Sequence, residues 1–185
     1  MPADTKAPLS LHTRLSGPED APLLRALFAS HCEHLHALGL PPAALQVLID
    51  QQYACRQADY GRRFPRARTL IALTGQEPVG YMMLNDDGAT LHIVDIVVAP
   101  PMRGRGHGGA LVRQVQAQAS EAGRQAVMLS VDPMNQNALR LYLALGFEAT
   151  EKQPVRWQML WRPFPGAAHE VAHADTLSFS TITKG

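Results

Sequence analysis

A short glycine-rich segment has the residue types that bind phosphate groups. Four glycines fall within residues 104–109, and Arg103 and Arg105 flank the first of them. Glycines let backbone N–H groups approach an anion closely, and the arginine guanidinium donates hydrogen bonds in a geometry that suits phosphate. The residues predicted to bind an anion are Arg103, Gly104, Arg105, Gly106, His107, Gly108 and Gly109.

The segments on either side predict how this glycine loop is positioned. Residues 93–98 are mostly β-branched and predict a buried strand, which Pro100 and Pro101 end because proline lacks the N–H that a sheet requires. Beyond the glycines, apolar residues recur at helical spacing from Leu111 to Ala119. The order strand, glycine turn, helix predicts a loop at a helix N-terminus, where the helix dipole strengthens anion binding.

Two other phosphate motifs fit the segment less well. Gly104, Gly106 and Gly109 satisfy the G-x-G-x-x-G pattern of dinucleotide-binding folds. In those folds the strand runs almost directly into the first glycine, whereas residues 100–103 intervene here. A P-loop would need Gly-Lys-Ser or Gly-Lys-Thr, which this loop lacks. A tight turn that binds nothing stays open as an alternative.

A second motif follows further along the chain. Residues 135–147 predict a short helix, with Asn135 as its N-cap and Gly146 as its stop. This segment has the pattern N-x-x-A-x-x-L-Y-x-x-x-G-F, and the glycine loop has the pattern V-x-P-x-x-R-G-x-G-x-G from Val98 onward. Together, in this order, they resemble the two signature motifs of the GNAT superfamily of acetyltransferases. The resemblance covers about residues 68–162.

The resemblance implies an α/β fold with a mixed sheet, in which antiparallel N-terminal strands precede a parallel pair that splays apart at the cofactor site, with helices on the flanks. It also implies acetyl-CoA as the co-substrate, with the pantetheine arm along Ile96, Val97 and Val98 and in contact with Asn135. Residues 1–162 are predicted to form a single N-acetyltransferase domain, and residues 163–185 a C-terminal tail.

The periodicity of the chain favours the same fold. Turn signals at residues 74–78 and 85–88 predict antiparallel strands before residue 98. The strand predicted at residues 126–131 is reached through a helix, which predicts a parallel pair with a right-handed crossover. A final hairpin is predicted over residues 149–161.

The first third of the chain is predicted to be largely helical. An apolar stripe predicts one helix that opens at Ser16 and ends near Gly39, and a second helix begins near Pro41. A basic cluster follows, either as a solvated face or as part of a pocket for an acidic acceptor, and the sequence leaves both open. Its members are Arg56, Arg62, Arg63, Arg66 and Arg68.

The resemblance implies that Tyr142 is the general acid. A phenol near the thioester sulfur can protonate the thiolate as it departs. The spacing alone favours a second interpretation, a tyrosine that simply packs in the core with its helical neighbours Ala138 and Leu145. The resemblance reverses that preference.

The general base is predicted less directly. Some members carry a glutamate five positions before the asparagine, where this chain has Ser130, a poor base. Others carry one six positions before the valine of the first motif, where this chain has His92, whose imidazole titrates near neutrality and is the candidate base. Asp95 lies on the same strand, but alternation sends it to the face opposite His92 unless a bulge intervenes.

Composition excludes several other classes. The chain has 185 residues, of which 46% are hydrophobic, and a net charge of +1, which gives no general attraction to nucleic acid or membrane. We find no signal peptide and no apolar run of about 20 residues, so the protein is predicted to be soluble and cytoplasmic. Cys32 and Cys55 imply no disulfide framework. Residues 31–36 hold metal-like spacings without a completing cluster, so no metal is expected.

The predicted function is transfer of an acetyl group from acetyl-CoA to a primary amine of a small molecule or protein, by direct attack in a ternary complex. The alternative is a catalytically idle member that binds acyl-CoA as a sensor or scaffold. The expected partner is a small-molecule or peptide amine, with no nucleic acid and no membrane. Residues 176–182 alternate like a strand, which suggests a covered sheet edge and a homodimer as a hypothesis.

Overall fold

A seven-stranded mixed sheet with helices on both faces forms the framework of the protein. The computed structural model describes residues 10–163. The strands are β1 (Leu11–Leu15), β2 (Arg68–Thr74), β3 (Glu77–Asp86), β4 (Thr90–Val98), β5 (Ala126–Val131), β6 (Glu148–Lys152) and β7 (Trp157–Trp161). The helices are α1 (Ala21–Ala29), α2 (Pro42–Arg63), α3 (His107–Glu121) and α4 (Gln136–Ala144), with short 3-10 helices at Pro18–Asp20, Glu33–Leu38 and Pro100–Met102.

The strand order β1-β2-β3-β4-β5-β7-β6 confirms the predicted fold class. Strands β1 to β4 pair antiparallel, whereas β4 and β5 are parallel and are joined through α3. Their pairing runs only from Thr90 opposite Ala126 to Ile93 opposite Leu129, although both strands continue beyond it. The two parallel strands therefore separate over their C-terminal halves, as the splayed pair was predicted to do.

A β-bulge in β4 changes which side chains share a face. Ile93 lies opposite Leu84 of β3, and Asp95 lies opposite the next residue, Met83, so that Val94 has no partner in this register. One extra residue reverses the alternation of a strand. As a result Asp95 points to the same side of the sheet as His92, where plain alternation predicts the opposite side.

The main core lies between the sheet and the helices α3 and α4. The apolar residues predicted from helical spacing in α3 are buried, since Leu111, Val112 and Ala119 are each 0% exposed. They pack against buried side chains of β4 and β5, including Leu91 and Val127. This contact holds the N-terminus of α3 close to the place where β4 and β5 part.

The first predicted helix is wrong in its length. The structure ends α1 at Ala29, where the hydroxyl of Ser30 donates to the carbonyl of Leu27 at 2.7 Å, and the chain tightens into the 3-10 helix Glu33–Leu38. Gly39, with φ of 63°, then ends that turn. Tightening rotates the later residues, so Leu38, which the apolar stripe predicted to face the core, is 57% exposed.

Helix α2 begins at Pro42, as predicted, and packs with α1 through a small apolar cluster around Phe28, Leu45 and Ile49. Its C-terminal half lies beside the sheet face that carries His92 and Asp95. Cys32 and Cys55 are both free. Among the described helices, none is both long enough and apolar enough to cross a membrane. The predicted strand at residues 176–182 lies outside the described residues.

Candidate active site

A cleft of about 480 Å³ opens where β4 and β5 separate. Residues 92–96 of β4 and 129–132 at the end of β5 form its floor, and α2 and α4 form opposite walls. The loop between β6 and β7 closes one end with Val155 and Arg156. A gap between two parallel strands exposes their backbone edges, so the cleft can accept an extended ligand between them.

Tyr142 stands in the wall that α4 provides. Asn135 caps this helix by accepting a hydrogen bond from the N–H of Ala138 at 3.1 Å, which fixes the helix start at the cleft. The ring of Tyr142 packs against Phe147, with centroids 5.9 Å apart, and the residue is 6% exposed. Its hydroxyl makes no hydrogen bond to any residue in the range 10–163, and the residue lines the cleft. Tyr142 thus combines a packed ring with an uncommitted hydroxyl group.

Burial and the negative charge of Asp95 raise the pKa of Tyr142 to about 12. The phenol therefore carries its proton at neutral pH. A buried, protonated hydroxyl without a partner is suited to donate a proton to a group that develops negative charge in the cleft.

His92 lies on the floor of the same cleft, with its ring edge-on to Phe64 of the segment after α2, at 4.9 Å between ring centroids. Burial lowers the pKa of His92, and the positive charges of Arg63 and Arg156 lower it further, while Asp87 acts in the opposite direction. The imidazole is therefore neutral at pH 7, with one ring nitrogen able to accept a proton. The structure brings His92 and Tyr142, the two candidate catalytic residues, into one cleft.

Asp95 anchors a network that the sequence analysis did not predict. Its two carboxylate oxygens accept hydrogen bonds from the guanidinium of Arg56 at 2.9 Å and from the hydroxyl of Tyr81 at 2.7 Å. A third bond comes from the backbone N–H of Ile96 at 3.0 Å, and Arg56 also donates to the hydroxyl of Tyr60 at 2.8 Å. With both oxygens occupied, the carboxylate holds α2 against β4 rather than standing free to accept a substrate proton.

Two signals in the sequence pointed toward this network without specifying it. The basic cluster contained Arg56, and the possibility of a bulge in β4 was the condition for Asp95 to share a face with His92. Arg56 and Arg63 line the cleft, whereas Arg62, Arg66 and Arg68 are exposed and do not. Two members of the basic cluster thus lie at the cleft and three lie on the surface away from it.

The glycine loop has the backbone expected of an anion site. Gly104 and Gly106 have φ of 73° and 91°, in the left-handed region that favours glycine, and Gly106 is the N-cap of α3. The first N–H groups of a helix have no acceptor within the helix, and here they follow directly after the two turns. Gly108 and Gly109 lie in the first turn, beside Leu141 of α4.

Two residues of the predicted loop take other positions. Arg103 turns back toward β4, with its Nε donating to the carbonyl of Val98 at 3.1 Å and its Nη2 lying 3.4 Å from the carbonyl of Ser30. His107 is 4% exposed, and its buried Nδ1 has no hydrogen-bond partner among the described residues. Of the predicted anion-binding residues, those that keep the expected arrangement are therefore chiefly the glycines and their backbone N–H groups.

The predicted residues of β4 divide between the cleft and the core. Ile96 lines the cleft, whereas the side chain of Val97 is 2% exposed and packs in the cluster on the α1 side. Beyond Ile93, however, the β4 backbone has no strand partner on the β5 side within the described part of the chain. Its open edge starts at the cleft and ends at Val98, next to the glycine loop.

The metal-like spacings near His31 do not converge on a site. Within residues 10–163, no group of three or more histidine, cysteine, aspartate or glutamate side chains is placed to hold a metal ion. His31 itself lines the cleft beside Arg56.

Comparison with known proteins assigns the fold and the motifs to one family. A model of the acetyltransferase (GNAT) family matches residues 32–147, more than half of the chain. An uncharacterized N-acetyltransferase of Mycobacterium bovis is 33% identical over 85 residues, which is 45% of this chain and 54% of that protein. The aminoalkylphosphonate N-acetyltransferase of Salmonella typhimurium is 31% identical over 90 residues, 45% of this chain and 58% of that protein. The matched segments thus span little more than half the length of these relatives.

The fold is also similar to that of solved structures. The PaiA N-acetyltransferase of Thermoplasma acidophilum, in complex with coenzyme A, aligns with a TM-score of 0.64 at 14% identity, over 83% of this chain and 99% of that one. At this level of identity the likeness is one of fold.

Proposed function

The chain belongs to the acetyltransferase (GNAT) family, and from that premise we propose that it transfers an acetyl group from acetyl-CoA to a primary amine of a small molecule or protein. The amine attacks the thioester directly while both substrates are bound. The carbon–sulfur bond breaks as the carbon–nitrogen bond forms, the amine loses a proton, and the thiolate gains one. The products are an acetamide and free coenzyme A.

The observation that carries this proposal is the cleft between β4 and β5, into which Tyr142 places a protonated hydroxyl that no described residue engages. A purely structural tyrosine buried to this degree is ordinarily hydrogen-bonded through its hydroxyl. The absence of such a bond at a cleft wall supports a role for this hydroxyl as the general acid that protonates the departing thiolate.

The residues around the cleft fit acetyl-CoA. The proposal places its diphosphate at the backbone of residues 104–109, where left-handed glycines and the start of α3 present N–H groups. It places the pantetheine arm along the open edge of β4 from Ile96 to Val98, as an added strand would lie. Acetyl-CoA supplies the activated acetyl group. Asn135, whose side chain lies at the same wall, contacts the arm.

His92 is the proposed base, acting on the amine directly or through a water molecule. Its lowered pKa keeps it neutral, so that it is able to take a proton at physiological pH. Asp95, the other acidic or basic side chain that β4 contributes to this floor, is held by Arg56 and Tyr81 and serves to position α2.

Replacing Tyr142 with phenylalanine tests the proposal, because it removes the hydroxyl and keeps the packed ring. We expect kcat to fall by roughly 10²- to 10⁴-fold, since general acid catalysis is typically worth that much, while acetyl-CoA affinity stays within about twofold. The assay measures thiol release over a panel of amino acids, amino sugars, polyamines and peptide N-termini. Turnover within twofold of wild type for Tyr142→Phe would contradict the acid role.

The same assay separates the enzyme from the idle alternative. An acyl-CoA sensor would bind acetyl-CoA in calorimetry and release no thiol above the uncatalysed rate with any amine of the panel. That result would contradict transfer and leave binding intact.

A further inference from the structure

Three arginines line the cleft, and one of them stands apart from the others. Arg56 pairs with Asp95 at 2.9 Å, and Arg63 lies 3.4 Å from Asp59. Arg156 lines the same cleft and forms no ion pair or side-chain hydrogen bond with any residue in the range 10–163. An arginine that lines a cleft and has no carboxylate partner can bind an anionic group of a ligand.

We propose that Arg156, together with Arg63, binds a negatively charged group of the acceptor, so that the preferred substrates are amines that also carry a carboxylate or a phosphorus oxyanion. This inference rests on the proposed acetyl transfer and names the chemical class of its acceptor.

The backbone around Arg156 holds the residue in a defined position. Gln153 and Arg156 exchange two backbone hydrogen bonds, of 3.0 and 3.4 Å, across the turn between β6 and β7. The turn therefore continues the hairpin instead of forming a long flexible loop. Its apex places Arg156 at the end of the cleft, beside Val155, which is 77% exposed.

The position of Arg156 relative to the proposed base also supports the inference. Besides burial, which is the largest effect, the charges of Arg63 and Arg156 both lower the pKa of His92, and Asp87 opposes them. Arg63 comes from the end of α2 and Arg156 from the β6–β7 turn, so two cations on different elements act on one imidazole. If the anionic group of an acceptor binds between these cations, a short carbon chain is enough to bring its amine to His92.

Two of the three carboxylates that line the cleft are neutralised by arginines, which disfavours a polycationic acceptor. Asp95 is occupied by Arg56 and Tyr81, and Asp59 lies 3.6 Å from Arg62 as well as 3.4 Å from Arg63. Asp132, at the end of β5, accepts a hydrogen bond from the backbone N–H of Met134 at 2.8 Å. Asp59 and Asp95 are thus paired with arginines, whereas neither Asp132 nor Arg156 forms an ion pair with any residue in the range 10–163. A second ammonium group on the acceptor would therefore have to pair with Asp132 or displace an arginine.

The test compares matched acceptors on wild type and on Arg156→Gln, which removes the charge and keeps a polar side chain. The pairs are β-alanine with β-alaninamide, and phosphoethanolamine with ethanolamine, with spermidine as the polycation. For wild type we expect the anionic member of each pair to have the higher kcat/KM. In Arg156→Gln, KM for the anionic acceptors rises by about 10- to 100-fold, as loss of a hydrogen bond between charged groups implies, and the neutral acceptors change less than twofold.

Two control variants separate charge from position. Arg156→Lys keeps the charge without the fork of donors and should restore part of the preference. Arg66→Gln removes an exposed charge that does not line the cleft and should behave as wild type. Equal use of neutral and anionic acceptors by wild type, or a preference for spermidine, would overturn the inference.

A binding measurement keeps this inference distinct from the proposed function. Calorimetry with N-acetyl-β-alanine and with its amide requires no turnover. Tighter binding of the acid by wild type, lost in Arg156→Gln, supports the anion site even if no thiol is released in any assay. Equal affinity of the acid for the two proteins overturns the anion site even if acetyl transfer is observed.

Discussion

The two walls of the cleft are built by different kinds of interaction. On the side of the α4 wall, seven of the 15 residues of α3, which lies behind the cleft, are buried, and they join a core continuous with β4, β5 and α4. On the other side, only Leu45 and Ile49 of the 22 residues of α2 are buried. The rest of α2 is attached by polar contacts, chiefly the ion pairs of Arg25 with Asp50 and of Arg56 with Asp95.

This difference matches the two tasks of the proposed enzyme. Apolar packing fixes a backbone firmly, which suits the recognition of a constant co-substrate by N–H groups. The ion pair of Arg25 with Asp50 is partly exposed and contributes about 0–1 kcal/mol, so this part of α2 is held less firmly than a helix packed in the core. Substitutions on the α2 side can therefore alter which acceptor is bound without disturbing the side that is proposed to hold acetyl-CoA.

The largest effect is expected from a change in the backbone site itself. Gly106→Glu places a β-carbon and a carboxylate at a residue with φ of 91°, at the start of α3, where the diphosphate is proposed to bind. We expect acetyl-CoA affinity to fall by roughly 100-fold or more, because both the backbone approach and the charge oppose the anion. Calorimetry measures the loss.

The matched control for Gly106→Glu is Gly75→Glu. Gly75 also has a left-handed φ, of 60°, in the turn between β2 and β3, and no atom lies within 4 Å of its added β-carbon. This variant carries a similar backbone strain and should retain affinity. Unchanged affinity in a folded Gly106→Glu protein would remove the glycine loop from the cofactor site.

A pair of glycine-to-alanine changes measures the packing of the two sides. A β-carbon on Gly80 of β3 would lie 2.1 Å from the carbonyl oxygen of Val97, so β4 must shift. We expect Gly80→Ala to lower the free energy of unfolding by about 1–3 kcal/mol. A β-carbon on Gly61 of α2 meets nothing within 4 Å, and there alanine should raise stability by up to about 1 kcal/mol, because it favours the helix. Urea denaturation measures the change in the free energy of unfolding for each variant. If both variants were stabilised, or both destabilised, the expected difference between Gly80 and Gly61 would be contradicted.

The fall of kcat/KM at low pH tests how charges on the α2 side change the pKa of His92, the proposed base. Burial and the charges of Arg63 and Arg156 lower the pKa of His92 from its ordinary 6.5, against the opposing charge of Asp87. We expect kcat/KM to be independent of pH above 6.5 and to fall with acid only below it, where the imidazole becomes protonated. Arg63→Gln removes one of the cations and should move this fall to higher pH. If kcat/KM falls at the same pH in Arg63→Gln and in wild type, another group is the base.

The smallest effect is expected at Asp20, which forms a polar contact at the start of α1, the helix that packs with α2. Hydrogen bonds from the guanidinium of Arg14 and the N–H of Gly17 lower the pKa of Asp20 from 3.8 to about 2. Because the folded pKa is depressed, this stabilisation is complete above pH 3.8 and is lost as pH falls toward 2. Asp20→Asn should lower the thermal midpoint at neutral pH and flatten its dependence on pH in that window. A variant with the same acid profile as wild type would contradict this assignment.

The sequence by itself determined the parts of this protein that depend on local patterns. The glycine loop before α3, the capped helix α4 and the hairpin from β2 to β3 follow from turn residues, capping residues and apolar periodicity, which act over a few positions. The candidate roles of Tyr142 and His92 came instead from the resemblance to the GNAT superfamily, since the spacing alone favoured a core tyrosine, and the structure places both residues in one cleft. The end of α1 was missed because a serine hydroxyl competed with the helix for a carbonyl group.

Only the tertiary structure decided the polar wall of the cleft. The bulge at Val94 reverses the face of Asp95, and an inserted residue leaves no mark in a strand whose two faces are both covered. The contact between Arg56 and Asp95 joins residues 39 positions apart. That Arg156 forms no ion pair within residues 10–163 is visible only in the folded structure, where Asp59 pairs with Arg63 and Asp132 accepts from a backbone N–H. A charge in a sequence has no assigned partner, because Coulombic contacts depend on distance in space, and that distance is set by the packing of the whole sheet.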